Sequence, residues 1–193
     1  MRSSFLIPGK NYLDSFLKEQ KSLPYSYQEV GQTKFTKPIL HFDNDHNSIL
    51  LGNGNDVWLK AKNALDAWEQ FPSKWTTIYP KNTALKEGEV VAVLFRVLGL
   101  WWTNSARIVY SFDEPNRYGF AYGTLPGHIE KGEEVFWIER DYQGDIYYHI
   151  KAFSRPRFWL VRLAYPFARW NQKRFVRDSK LRMKELANAS IPA

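Results

Sequence analysis

Apolar side chains recur along this chain with two different periods, and one gives way to the other near residue 75. In "NDVWLKAKNALDAWEQF" they recur every 3.6 residues, at Val57, Trp58, Ala61, Ala64, Leu65 and Trp68. This period predicts an amphipathic helix, with Asn55 or Asp56 as its N-cap and Pro72 closing its end. From Trp75 to Ser154 the period is two, which predicts five or six consecutive strands in an antiparallel meander.

The alternation also predicts which side chains share a face of the sheet. In "DIYYHIKAFS" the inward-facing residues are Ile146, Tyr148, Ile150 and Ala152. In "SARIVYSFD" one face carries Ala106, Ile108, Tyr110 and Phe112. The facing of Tyr118 to Thr124 stays open, but Gly119, Ala121 and Gly123 fall on one side. Glycine weakens a strand, so this stripe indicates strand curvature or close approach by a helix or a ligand.

The two ends of the chain differ from this middle region. Residues 1–40 are interpreted as an N-terminal extension with a short helix over Tyr12 to Glu19, and residues 41–193 as a single domain. A long helix is predicted from Pro156 to about Ala187, with Pro166 kinking or dividing it. One helix covers such a sheet only if the sheet curls around it. The expected fold is therefore α+β, a curved antiparallel sheet of about six or seven strands around a long C-terminal helix.

Composition narrows the function classes. The 193 residues suit one domain, and the absence of cysteine excludes disulfides, a thiolate nucleophile and a thiolate metal site. Aromatic residues make up 17% of the chain, which favours a large core or a pocket. The N-terminus lacks the apolar run of a signal peptide, and the apolar stretch from Val90 to Trp102 is interrupted by Arg96. We expect a soluble, cytoplasmic protein.

The net charge of +7 is concentrated near the C-terminus, because the segment from Arg155 to Lys184 holds ten Lys or Arg and one acid. Three interpretations of its basic helix end stay open: a solvated helix face, a surface for anionic lipid, and a surface for nucleic acid. The cations that would make either contact are Arg174, Arg177, Lys180 and Arg182.

The stretch "TLPGHIEKGEE" holds the candidate chemistry. Pro126–Gly127 predicts a type II turn, and Gly132 a bulge or a second turn. The catalytic candidates are His128, Glu130, Glu133 and Glu134. A histidine and a carboxylate can act as an acid–base pair, but solvated hairpin charges or structural salt bridges explain the same residues. The histidine spacing matches no metal motif, so neither metal nor cofactor is expected.

Two long stretches carry a family resemblance. "RYGFAYGTLPGHIEKGEEVFWIE" and "IKAFSRPRFWLVRLAYPFARWNQKRFVRDS" resemble the signature of uncharacterised protein family 0548, a domain-of-unknown-function family of bacteria and plants. "YSYQEVG" and the Trp58–Trp68 helix fit it too, so the resemblance covers nearly the whole chain. It implies one compact domain and supplies no catalytic residues. The predicted architecture resembles the helix-grip fold of START and Bet v 1-like proteins, which implies a cavity for an apolar ligand between sheet and helix.

The leading hypothesis is a non-enzymatic module that binds an apolar or amphipathic small molecule in that cavity. The predicted lining residues are Ile108, Tyr110, Phe120, Tyr122, Trp137, Tyr148, Phe158, Trp159 and Phe167. Arg155 is either a clamp for an anionic head group or a salt-bridge partner of Glu133 or Glu134. The alternatives are a cavity enzyme that uses His128 and Glu130, and a lipid or nucleic-acid partner that works through the basic helix.

Overall fold

The computed structural model describes residues 2–157 and 165–189, which form eight strands, three α-helices and one 3₁₀ turn. The strands are β1 (Arg2–Ser4), β2 (Asp43–Asn53), β3 (Thr76–Tyr79), β4 (Val90–Val97), β5 (Leu100–Glu114), β6 (Arg117–Thr124), β7 (Glu130–Arg140) and β8 (Asp145–Pro156). The helices are α1 (Lys10–Lys21), α2 (Asn55–Asp66) and α3 (Tyr165–Ala187), and the 3₁₀ turn is Gln32–Lys34.

All eight strands belong to one antiparallel sheet, in which β3 to β8 follow one another as hairpins. The sheet order is β2-β8-β7-β6-β5-β4-β3, and β1 pairs with the first part of β5, at Trp101 to Thr103. Apolar residues of α3 and α2 pack in one core with one face of this sheet, which we call the inner face. The predicted α+β helix-grip fold, a curved antiparallel sheet around a long C-terminal helix, is confirmed.

The helices follow the periodic pattern with local corrections. Gly54, and neither Asn55 nor Asp56, is the N-cap of α2. Pro166 is the second described residue of α3, so the kink or division predicted at this proline falls at the edge of the described residues and stays a prediction. Pro156 ends β8 and does not begin a helix. The predicted helical residues 158–164 lie outside the described part of the chain.

The inner-face core joins the sheet to α2 and α3. Its largest fully buried side chains include Leu65, Ile108, Phe120, Phe136, Ile138, Ile146, Tyr148, Ile150 and Met183. The inward facing predicted for Ile146, Tyr148 and Ile150 is found in this core. Tyr148 also donates or accepts a hydrogen bond with Ser179 of α3 at 2.9 Å. This contact fixes α3 against β8, the strand next to the β2 edge of the sheet.

A β-bulge corrects the predicted facing of β5. The register between β5 and β6 shifts between Ile108 and Tyr110, so that Ile108 stays in the inner core while Tyr110 packs with Val109 and Trp137 in a separate cluster. The extra residue reverses the alternation of side chains along the rest of the strand. Tyr110 therefore lies on the opposite face, which we call the outer face.

The N-terminal segment covers the outer face. Leu13 and Phe16 of α1 pack against Leu94 and Trp101. Phe120 and Tyr122 belong to the inner core, which leaves the glycine stripe of β6 on the outer face. A Cβ on Gly123 would lie within 3 Å of the Tyr27 ring, so the close approach that the stripe indicates is made here by Tyr27. The division of the chain at residue 40 stays a prediction.

Candidate functional site

A cavity of about 500 Å³ lies between the inner face and α3. Aromatic and aliphatic side chains make up most of its wall. They come from β4, β5, β6, β8 and α3, from the segment between α2 and β3, and from the β6–β7 turn, and include Phe71, Trp75, Val93, Phe95, Trp102, Tyr122, Ile129, Ile150, Phe167, Phe175 and Val176. Its polar lining residues include Asp45, Asn104, Thr124, His128, Glu130, Glu134, Asn171 and Gln172. The cavity is therefore a largely apolar space with polar groups along part of its wall.

The cavity opens between the β4–β5 hairpin and the start of α3. Leu98 at the hairpin tip lines the cavity although 83% of its surface is exposed. Phe167 in the first turns of α3 also lines it and is 39% exposed. Residues that border both the cavity and the solvent mark its entrance, so an apolar rim surrounds the opening.

The turn between β6 and β7 differs from the predicted type II turn. The His128 N–H donates to the Leu125 carbonyl at 2.9 Å, but Gly127 is not among the residues with positive φ. Glycine is required there by packing, because a Cβ would lie 2.7 Å from Ser105 Oγ and 2.8 Å from Gln20 Oε1. Gly132 is neither a bulge nor a turn. It pairs in register with Ser154, and the Phe153 carbonyl leaves no room for a Cβ.

His128 lines the cavity as a neutral imidazole. Its Nδ1 accepts a hydrogen bond from the Glu130 N–H at 3.0 Å, which places the ring proton on Nε2. Burial lowers the pKa of His128 to about 4. The ring nitrogen that could accept a proton is thus already occupied by the backbone of the turn.

Two carboxyls of β7, Glu130 and Glu134, also line the cavity. Glu130 accepts a hydrogen bond from Gln172 Nε2 at 2.6 Å, and Glu134 accepts one from the Tyr122 hydroxyl at 2.7 Å. Removal from bulk water raises the pKa of each to about 7, and the negative charge of Glu130 contributes to the shift at Glu134. Both groups therefore change charge near neutral pH.

Glu133 is held elsewhere. It is 2% exposed and accepts hydrogen bonds from the Tyr27 hydroxyl at 2.8 Å, the Gly31 N–H at 2.7 Å and the Thr33 N–H at 3.0 Å. The Thr33 hydroxyl donates a fourth. This carboxylate ties the N-terminal segment to the outer face, although residue Glu133 also contributes to the cavity wall beside Glu130 and Glu134.

The predicted ligand-binding residues fall into five groups. Tyr122 and Phe167 line the cavity, whereas Ile108, Phe120 and Tyr148 are fully buried in the core beside it. Tyr110 and Trp137 lie on the outer face, where Trp137 stacks on His149. The Arg155 guanidinium lies 4.5 Å from the centre of the Phe42 ring and does not reach the described cavity wall. Phe158 and Trp159 lie outside the described residues.

Sequence reasoning missed much of the α3 side of the wall. The lining residues there are Phe167, Ala168, Asn171, Gln172, Phe175 and Val176, which repeat every four residues. This spacing marks one face of a helix, so the signal was present in the sequence. Trp75 directly precedes β3 and Phe95 lies on the neighbouring strand β4, and only the folded sheet brings these two aromatic residues to the cavity.

The basic residues of α3 have partners within the chain. Arg174 lies 4.2 Å from the centre of the Trp75 ring and, like Arg177, pairs with Asp178. Lys180 donates to the Ser48 carbonyl at 3.4 Å, and Arg182 pairs with Glu69 at 2.7 Å. In the described part of the chain, no helix is long and apolar enough to cross a membrane. Nor do residues 2–157 and 165–189 contain a group of three His, Cys, Asp or Glu that could hold a metal ion.

Sequence comparison finds clear relatives. A family model described as "Domain of unknown function (DUF1990)" matches residues 26–182. A UPF0548 protein of Dictyostelium discoideum is 41% identical over 196 residues, covering 91% of this chain and 91% of that protein. UPF0548 proteins of Arabidopsis thaliana and Deinococcus radiodurans are each 33% identical, covering 76% and 88% of this chain and 74% and 91% of their own lengths.

Comparison with solved structures finds matches at low identity. The di-domain ARO/CYC BexL superposes with a TM-score of 0.51 and 13% identity, covering 78% of this chain and 51% of that one. Ara h 8.0201 has a TM-score of 0.48 with 10% identity, covering 74% of this chain and 97% of its own. Human STARD10 has a TM-score of 0.43 with 12% identity, covering 90% of this chain and 80% of its own. At these identities the likeness concerns the fold alone.

Proposed function

We propose that this chain, which belongs to the UPF0548 (DUF1990) family, binds an apolar or amphipathic small molecule between the sheet and α3. Because that family is defined by a domain of unknown function, the proposal is based on the chain's own cavity. The single observation that carries this proposal is the open, mostly apolar space of about 500 Å³. Small-molecule sites in proteins commonly measure about 300–1,000 Å³ and combine an apolar wall with a few polar groups.

The energetics of the wall support the same proposal. Tight packing is the rule in protein interiors, and an apolar void costs stability through the contacts its wall loses. An apolar ligand regains those contacts and removes its own surface from water, at about 25 cal/mol for each Å² buried. The aromatic wall residues Trp75, Phe175 and Tyr122 offer flat surfaces for such contact. We place this activity in the cytoplasm, as the sequence predicts.

An acid–base reaction in the same cavity stays the alternative hypothesis. The observation that favours it is the pKa of Glu130, which burial raises to about 7. Its proposed partner, His128, has a pKa of about 4 and its Nδ1 engaged with backbone. A pair near neutrality needs a histidine that takes up a proton there, so binding fits this arrangement better than catalysis.

Filling the cavity tests the proposal. Ala152 lines the cavity opposite Glu134 in the sheet register, so Ala152→Phe places a ring in the ligand space. Binding of N-phenyl-1-naphthylamine, a neutral apolar fluorophore, is measured by fluorescence titration. We expect Ala152→Phe to weaken it by about tenfold or more, which corresponds to about 1.4 kcal/mol.

The matched control is Ala84→Phe, which makes the same change on an exposed loop. It should bind the fluorophore as the unaltered protein does. Equal binding by all three proteins, or no binding by the unaltered protein, would contradict the proposal. Native mass spectrometry of protein taken gently from its own host, followed by organic extraction, then identifies any molecule carried along.

A further inference from the structure

Among the described residues, the charged side chains of the cavity wall are all acidic. The described lining residues include no Lys and no Arg, whereas the acidic residues Asp45, Glu130, Glu133 and Glu134 are among them. Asp45 is neutralised, because Arg169 donates to both of its oxygens at 2.6 and 2.9 Å. Glu133 accepts four hydrogen bonds on the outer face, whereas Glu130 and Glu134 form no ion pair within the described residues, although the charge of Arg169 also acts on Glu130.

Each of these two carboxyls has spare capacity to accept hydrogen bonds. A carboxylate offers about four acceptor positions. Within residues 2–157 and 165–189, Glu130 accepts from Gln172 and Glu134 accepts from Tyr122, and neither forms an ion pair. Glu133 next to them shows what a saturated carboxylate looks like in this protein, since it accepts four hydrogen bonds. The cavity carboxyls thus lack donors.

A third hydrogen-bond acceptor, on the facing helix α3, also lacks a donor among the described residues. Asn171 of α3 also lines the cavity, and its Nδ2 donates to the Phe167 carbonyl at 3.0 Å. Its Oδ1 is buried and accepts from no described residue. A buried acceptor without a donor is costly, at about 1–3 kcal/mol. Acceptors from both β7 and α3 therefore border one cavity, whose described wall also holds the N–H donors Trp102 Nε1, which has no described partner, and His128 Nε2.

We propose that the ligand of this cavity carries a hydrogen-bond-donating head, a hydroxyl, phenol or amine group, that contacts Glu130 and Glu134, and that ligands with an anionic head are rejected. This inference rests on the proposed binding function and assigns its chemical class. A donor head satisfies the free acceptor positions, whereas a carboxylate or phosphate head brings a second negative charge against two carboxyls in a poorly solvated space. The absence of a cation from the described wall removes the usual means of holding such an anion.

A set of ligands with one chain and different heads tests this proposal. Decanol, decylamine and decanoate are titrated at pH 8, below their micelle concentrations, by displacement of N-phenyl-1-naphthylamine. We expect decanol and decylamine to displace it and decanoate to bind at least about tenfold more weakly, because its charge meets unpaired acceptors.

Two single variants assign the effect to the carboxyls. Glu130→Gln and Glu134→Gln each remove a charge with little change of shape and give the wall an N–H donor. Each should reduce the preference for decanol over decanoate by about threefold or more. Glu89→Gln, at an exposed position outside the cavity, makes the same chemical change and should leave the preference as it is.

The outcomes separate this inference from the function it rests on. If all three ligands bind equally well, the cavity binds apolar molecules but the assigned head group is wrong. If the preference persists unchanged in both glutamine variants, the carboxyls do not cause it and the inference is overturned. If no ligand displaces the fluorophore and the fluorophore itself fails to bind, the proposed function falls and this inference falls with it.

Discussion

Glu133 and Glu134 are neighbours on β7, yet they serve opposite faces of the sheet. The carboxylate of Glu133 is buried on the outer face and receives four hydrogen bonds from Tyr27, Gly31 and Thr33. The carboxyl of Glu134 borders the inner cavity and receives one, from Tyr122. Adjacent strand residues point to opposite sides, so one residue step separates a saturated carboxylate from an unsaturated one.

The difference between these two carboxyls reflects a difference between the two faces of the sheet. On the outer face, the N-terminal segment supplies donors and ring contacts, as the packing of Leu13 and Phe16 against Leu94 also shows. On the inner face, α3 leaves a space beside the sheet whose polar groups are only partly satisfied. The outer-face carboxylate Glu133 is therefore saturated, whereas polar groups of the inner-face wall, such as Asn171 Oδ1, have no described partner.

The same substitution at the two positions should therefore have opposite effects, and the larger effect is expected at Glu133. In Glu133→Gln one acceptor oxygen becomes an NH₂ group that faces two donors. We expect the free energy of unfolding to fall by about 2–5 kcal/mol, since each buried donor left without an acceptor costs about 1–3 kcal/mol. Urea denaturation at pH 7 measures the loss.

Tyr27→Phe serves as a milder control, because it removes one of the four donors and leaves the carboxylate with three. It should cost about 0.5–1.5 kcal/mol, less than Glu133→Gln. A Glu133→Gln protein as stable as the unaltered one would mean that the N-terminal segment does not depend on this carboxylate.

At Glu134 the substitution to glutamine should stabilise the protein, and the effect should depend on pH. Burial raises the pKa of Glu134 from 4.5 to about 7, so the folded state holds its proton more tightly than the unfolded state does. The stability that this group contributes is complete below pH 4.5 and is lost as pH rises to about 7. Glutamine does not titrate. Glu134→Gln should therefore match the unaltered protein at pH 4 and exceed it above pH 7 by about 1–3 kcal/mol.

Urea denaturation from pH 4 to pH 8 measures this difference, with Glu89→Gln as the exposed control that should stay flat across the range. A stability gain at Glu134 that does not change with pH would contradict the raised pKa. A loss of stability at pH 8 would show that the ionised carboxylate has a partner that compensates its burial.

The sequence predicts much of this difference between the two faces of the sheet. The alternation of β8 predicted the facing of Ile146, Tyr148 and Ile150, and the 3.6-residue period predicted α2. Alternation also requires that Glu133 and Glu134 face opposite sides. It does not say which side holds the cavity, because that depends on where α3 and the N-terminal segment pack after the sheet has formed.

The predictions that the structure contradicts also depend on how the chain packs after folding. Tyr110 was placed on the cavity side because the pattern contains no mark of the bulge before it, and a bulge reverses every later side chain. The glycine stripe of β6 correctly indicated a close approach, but its partner Tyr27 lies far away in the sequence. Gly127 and Gly132 resembled turn glycines, whereas their neighbours in the folded chain leave no room for a Cβ.

The smallest effect is expected at the single hydrogen bond that Glu134 receives. Tyr122→Phe removes the hydroxyl that donates to this carboxyl at 2.7 Å, a bond that holds the pKa of Glu134 below the value that burial alone would give. The pKa should therefore rise above about 7, and stability at pH 8 should fall by about 0.5–1.5 kcal/mol. Because the pKa is higher, the pH at which the free energy of unfolding stops declining should rise as well. Combining Tyr122→Phe with Glu134→Gln should abolish that movement, since no titrating carboxyl is left. If the movement survives in the double variant, it comes from another group, and Glu130, which also has a pKa of about 7, is then the group to replace next.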